Sequence, residues 1–180
     1  LESFEKIDTT PTGEIKVYKT DDYNNKLKGA EISLYAREDI KNVAGTRTWY
    51  KKGDLITKAI TNDEGMVKFS DLYLGKYYVK ETNAPEGYLL NTKEFDAELK
   101  YKDQNTKVIY LDINNVIDEE PTGTITIIKK DSETGSVPQG DATFNGAVYK
   151  VYASEDIYNK AKTKKFYSNG DLVATRTMNE

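Results

Sequence analysis

Three polar side chains end runs of apolar residues that would share one face of an extended chain: Lys19 follows Ile15 and Val17, Glu81 follows Tyr77 and Val79, and Asn115 follows Ile109, Leu111 and Ile113. In a strand, successive side chains alternate between faces, so each of the three points where its apolar predecessors point. An amine, a carboxyl group and a carboxamide would thereby meet in one apolar layer. Burial disfavours the charged forms of an amine and a carboxylic acid, which brings proton exchange between such groups within reach near neutral pH. Read singly, each residue could stand at a strand end with its head in water. Three together are harder to dismiss, because desolvating an unpaired ammonium costs several kcal/mol.

Composition narrows the chemistry. The chain has no cysteine and no histidine, which excludes disulfides, thiol nucleophiles, histidine-based triads and the commonest zinc sites. No metal and no cofactor is therefore expected. Carboxylate-pair hydrolysis has only scattered acids behind it, so an enzyme is not expected either. A net charge of −4 with interspersed signs argues against nucleic-acid binding, and no apolar run approaches the length of a membrane span.

The elements that must position these residues read as strands. Period-2 runs lie at Glu14–Thr20, Ala30–Ala36, Leu55–Ile60, Met66–Ser70, Lys76–Thr82, Lys93–Leu99 and Lys107–Asn114, separated by turn clusters such as Asp21–Asn25, Asn62–Gly65 and Asp71–Gly75. Seven short strands in about a hundred residues suggest an antiparallel sandwich. Between Arg37 and Lys52 a helical turn is expected over Glu38–Val43, ahead of a hairpin arm at Trp49 and Tyr50. A bulge in the last strand would exchange Asn114 for Asn115 on the inward face.

The pattern is duplicated. TGEIKVYKTD at Thr12–Asp21 returns as TGTITIIKKD at Thr122–Asp131, with Lys129 in the place of Lys19. Gly29-Ala30, Glu38-Asp39-Ile40 and Gly53-Asp54-Leu55 return as Gly146-Ala147, Glu155-Asp156-Ile157 and Gly170-Asp171-Leu172, at an offset seven residues larger, which places a longer loop at about Ser132–Phe144. Repeats at this spacing indicate tandem domains rather than a solenoid. The expected organisation is a linker from a preceding unit at 1–12, a complete sandwich at 13–116, a linker at 117–122 and the first part of a second sandwich at 123–180. The second unit has no counterpart of the strands bearing Glu81 and Asn115. Its strands at 124–130 and 145–152 would need a neighbouring molecule or a longer polypeptide to order them.

At Tyr78-Val79-Lys80-Glu81-Thr82-Asn83-Ala84-Pro85-Glu86-Gly87-Tyr88 the chain resembles the E-T-x-A-P-x-G-Y region of collagen-adhesin B-type domains, also called Cna B-type or SpaA-like, of Gram-positive pilins and surface adhesins. Lys19-Thr20-Asp21, Gly29-Ala30 and Asn115 match further family landmarks. The likeness covers 13–116 in full and 123–180 in part. It implies an all-β fold of tandem transthyretin-like, or inverse immunoglobulin-like, β-sandwich domains. It further implies a spontaneous isopeptide bond between Lys19 as nucleophile and Asn115 as electrophile, assisted by Glu81 as acid and base, with Lys129 as the corresponding lysine of the second domain. Such a bond forms once per molecule and makes no enzyme.

The function so implied is a structural stalk module of a cell-surface adhesin or pilin, extracellular and anchored to the cell wall, with the anchor and signal peptide outside this sequence. Its partners would be neighbouring domains of the same polypeptide. No Y-P-K-N pilin motif and no L-P-x-T-G sorting signal occurs in the sequence. The competing reading is a ligand-binding adhesin domain, in which Trp49, Tyr50, Phe166 and Tyr167 offer aromatic surface to a host matrix protein or glycan.

Overall fold

Alternation of apolar and polar residues is carried into the backbone as a row of short strands. The computed structural model describes residues 9–179, so residues 1–8 of the expected leading linker lie outside the described residues. The chain separates into two compact units, divided between Pro121 and Thr122. In the first, the strands are β1 (Thr12–Asp21), β2 (Glu31–Ala36), β3 (Ile40–Lys41), β4 (Thr48–Tyr50), β5 (Leu55–Ile60), β6 (Met66–Leu72), β7 (Gly75–Asn83), β8 (Phe95–Leu99) and β9 (Val108–Asp118). One sheet has the order β6-β1-β9 and another the order β5-β2-β7-β8. The two supply a common core of Ile15, Val17, Ile32, Leu34, Val67, Phe69, Tyr77, Val79, Leu99 and Val116, all buried. This is the β-sandwich that the alternation anticipates.

β1 is the central strand of its sheet. It pairs antiparallel with β6 and parallel with β9, and its side chains alternate between buried and half-buried along its whole length. Gly13 sits where a Cβ would lie 2.3 Å from a methyl carbon of Leu99, so the close approach of the sheets there requires glycine. At the other end of the strand, the Lys19 N–H donates to the Gly65 carbonyl at 2.7 Å and the Lys19 carbonyl accepts from Leu27 N–H at 3.0 Å. Both backbone groups of Lys19 are therefore tied.

Two local features depart from the alternation. The residues at 38–43 form no helical turn; Ile40–Lys41 is a strand that pairs with Thr48–Tyr50. Ile40 drives this, because its side chain is buried against the open face of Gly75, and an extended backbone is what seats it there. In β9 the register slips: Val17 pairs with Ile113 but Lys19 pairs with Val116, so Asn114 and Asn115 together oppose Tyr18. Asn115 takes a φ of 63°. Asparagine tolerates this left-handed conformation better than most residues, and a bulge of this kind inverts the facing of everything after it. β9 runs on through Ile117 and Asp118, residues expected in the linker.

The second unit contains two hairpins: β10 (Val148–Tyr152) with β13 (Leu172–Thr177), and β11 (Ile157–Tyr158) with β12 (Lys165–Tyr167). They repeat the β2–β5 and β3–β4 pairings. The segment 124–130, expected as a strand, has no strand assignment, and Ile125, Ile127 and Ile128 are exposed. Its counterpart β1 is held between β6 and β9, and among the described residues of the second unit no strand pairs with the 124–130 segment. Part of the 124–130 segment, with Tyr149, Val151 and Val173, instead borders an apolar cavity of about 470 Å³.

Candidate functional site

The bulge determines which residue of β9 meets the lysine. Lys19 is fully buried, and its ammonium is paired with Asp118 Oδ1 in a short contact. It also donates to the Val116 carbonyl at 3.3 Å and stands 3.6 Å from Glu81 Oε1. Lys19 and Asp118 come from adjacent parallel strands of one sheet, whereas Glu81 reaches in from β7 of the other. Lys19, Glu81 and Asp118 are 0%, 2% and 1% exposed. The inward phase Tyr77, Val79, Glu81 places the glutamate as its alternation predicts, each of the three being buried.

Asn115 is not at the lysine. It is exposed at the bulge, as is Asn114. The alternation of Ile109, Leu111 and Ile113 stops predicting facing once the extra residue enters, and the inward positions become Val116 and Asp118. The carbonyl group beside the amine is therefore the Asp118 carboxyl and not the expected Asn115 carboxamide. The signal for it lay in the alternation of Val116 and Asp118, which is out of phase with Ile113 and so requires a bulge between. Lys129 is also placed differently from Lys19, being exposed with its ammonium 5.6 Å from the centre of the Phe144 ring.

Three ionisable groups out of water need one another. Burial, the largest influence, pushes the Glu81 carboxyl up to about 7; the Asn91 N–H and Lys19 pull it down, and Asp118 raises it again. Glu81 Oε1 and Asp118 Oδ2 are both buried without a donor. A proton held by Glu81 and shared with Asp118 gives the two oxygens the hydrogen bond they lack. The Lys19–Asp118 contact is then one buried ion pair with no third charge beside it.

A strap of residues 84–92 closes over this end of the sandwich. Pro85 is buried, and the Tyr88 hydroxyl is 3.3 Å from Oδ2 of Asp21, itself buried and held by the N–H groups of Tyr23 and Asn25. Leu89 N–H donates to the Glu119 carbonyl at 2.8 Å, and Asn91 N–H donates to Glu81 Oε2 at 2.9 Å. Burial, the larger cause, and the neighbouring Asp21 push the Tyr88 hydroxyl up to about 12. Its proton is therefore available to donate to Asp21 across the neutral range.

The aromatic residues of the β3–β4 hairpin lie elsewhere. Trp49 stacks on Tyr73 with ring centres 4.4 Å apart and planes 3° from parallel, and Arg47 lies 3.8 Å from the centre of the Trp49 ring. The indole is half-buried and sandwiched. Among the described residues no cluster of acidic side chains is arranged to hold a metal, and no helix is long and apolar enough to cross a membrane.

The SpaA family model, described as a prealbumin-like fold domain, matches residues 13–115. Curated proteins include no match. Solved structures similar to the chain include the Bacillus anthracis TIE protein, at 24% identity and a TM-score of 0.44 over 94% of this chain and 25% of that one. A streptococcal ancillary pilin is similar at 19% identity and a TM-score of 0.45 over 93% and 47%. BcpA, the major pilin subunit of Bacillus cereus, is similar at 25% identity and a TM-score of 0.40 over 62% and 31%. The chain thus spans between a quarter and about half of the length of these proteins.

Proposed function

The chain belongs to the SpaA prealbumin-like fold family, and from that premise we propose that its first unit is a load-bearing stalk module of a Gram-positive surface protein or pilin, closed by an isopeptide bond between Lys19 and Asp118. The observation that carries this reading is the contact of the buried Lys19 amine with the Asp118 carboxyl, with Glu81 3.6 Å from the same nitrogen. The module works outside the cell, in series with neighbouring domains of its own polypeptide.

The reaction balances within the three side chains. The Lys19 ammonium passes one proton to the Asp118 carboxylate, and the neutral amine attacks Cγ of the resulting acid, forming the C–N bond. Glu81 gives its proton to the carbonyl oxygen of Asp118 and takes one from the nitrogen as the tetrahedral centre forms. It hands that proton to the departing hydroxyl and recovers one from the other oxygen as the C–O bond breaks and the carbonyl reforms, so one water leaves and Glu81 ends protonated. An ammonium and a carboxylate become a neutral amide, so the buried pair of charges disappears. Held in contact in a packed site, amine and carboxyl have the proximity that free amide formation in water lacks.

Intact mass under denaturing conditions tests this directly. The expected result is loss of one water, with a branched peptide joining Lys19 to Asp118 after proteolysis. Asp118→Ala should restore the unreacted mass, and Asn115→Gly, which suits the left-handed bulge, should keep the bond. A full sequence mass in the parent chain, or a loss of ammonia with the branch at Asn115, would overturn the assignment.

A further inference from the structure

β9 is an edge strand, and near the site the Ile117 and Glu119 carbonyls accept hydrogen bonds from the strap. Asn91 makes the central contacts. Its backbone N–H donates to Glu81 Oε2 at 2.9 Å, its side-chain Nδ2 donates to the Ile117 carbonyl at 2.8 Å, and its Oδ1 accepts from Lys93 N–H at 3.0 Å. One residue therefore touches both strands that bring groups to Lys19. The Ile117 carbonyl belongs to the peptide unit that leads into Asp118, so fixing it fixes the carboxyl that follows. Glu81 Oε2 is occupied by the Asn91 N–H, which leaves Oε1 as the oxygen directed at the amine.

We propose that Asn91 is the positioning residue of cross-link formation, holding the acid and the electrophile in one geometry before the bond exists. This rests on the Lys19–Asp118 reading above. Asn91 touches neither the nitrogen nor the carbon that react; it acts through Glu81 and the Ile117–Asp118 peptide. Its two contacts have separable effects. The side-chain bond sets the distance of Asp118 from Lys19, and the backbone bond restrains the proton affinity of Glu81, which it lowers against the effect of burial.

The test follows closure in time. Full-length chain, made by cell-free synthesis and kept unfolded in acidic urea, is refolded by dilution at a series of pH values, quenched and weighed. Asn91→Ala keeps the backbone donor but loses the tie to Ile117, and should close about tenfold more slowly at every pH while reaching the same final mass, the size expected for one lost hydrogen bond. Asn91→Asp loses the same tie and places a carboxylate beside Glu81. The fall in rate at high pH should then move to higher pH, a change that a purely structural role would not produce.

Asn91 variants that close at the parental rate, with the high-pH fall unmoved, would overturn the positioning role while the parent's own loss of water upheld the cross-link. A parent chain that never loses water would sink the cross-link itself. Folding is checked by near-ultraviolet circular dichroism in an Asp118→Ala background, where no chain closes. If Asn91→Ala abolishes folding there, Asn91 is structural and the proposal fails.

Discussion

The chemistry of the site depends on where one proton sits. Burial raises Glu81 to about 7 against an ordinary value of 4.5, so the folded, unlinked chain holds a proton that the unfolded chain releases. The stability linked to that proton is fully present below 4.5 and lost as pH rises through about 7. The proposed closure uses the same proton, which Glu81 would donate to the departing oxygen. The closure rate, measured by quenched refolding and mass, should therefore fall by up to about tenfold per pH unit above pH 7. Glu81→Gln, which keeps the shape of the side chain but shuttles no proton, should close at least about a hundredfold more slowly. Retention of the parental rate in that variant would remove Glu81 from its role. Lys19 and Glu81 were legible in the sequence because Ile15–Lys19 and Tyr77–Glu81 alternate without interruption. Asp118 was not, because a single inserted residue reverses the alternation of β9 and leaves an asparagine where the unbroken pattern points.

At the scale of elements, the site is placed by turns as much as by strands. Gly65 has a φ of 67°, and a Cβ there would lie 2.5 Å from the Lys19 carbonyl oxygen, whose residue donates its own N–H back to Gly65. Gly65→Ala must relieve both the conformation and the clash by moving the Lys19 backbone away. The expected cost is at least about 1–2 kcal/mol from the backbone conformation alone, read by denaturant unfolding in an Asp118→Ala background, together with slower closure in the otherwise parental chain. An unchanged midpoint would mean that β1 tolerates displacement at Lys19. The strands themselves were largely readable from period-2 patterning and from turn residues. The arm at Trp49 and Tyr50 was anticipated, but its partner β3 was read as a helical turn, since a two-residue strand carries too little alternation to register, and what extends it is the burial of Ile40 against Gly75. The 124–130 segment has the β1 pattern without becoming a strand. A pattern specifies which side would face inward, but the ladder needs partners.

For the whole molecule, the consequence of a Lys19–Asp118 bond is set by the parallel pairing of β1 and β9. With the proposed bond in place, tension entering the unit at Thr12 would travel along β1 to Lys19, cross to Asp118 and leave toward Pro121. Residues 20–117 would lie outside that path. Both attachment points lie near the same end of the two strands, so only the covalent link, and not the hydrogen bonds of the intervening sheet, has to carry the load. In the unfolded state the same link closes a loop of about 100 residues, an entropic stabilisation on the order of 4–5 kcal/mol by analogy with a disulfide of that span. The mechanical prediction is sharper than the thermal one. Pulled in a force spectrometer from handles at its two ends, the parent first unit should release no length before the tethers fail. Asp118→Ala should unfold at moderate force and lengthen by on the order of 300 Å, the reach of residues 20–117 at about 3.3–3.6 Å each less the span they occupied when folded. A parent chain that lengthens by the same step would place residues 20–117 back in the path of the load, and the role of a stalk module closed by this bond would be lost with it.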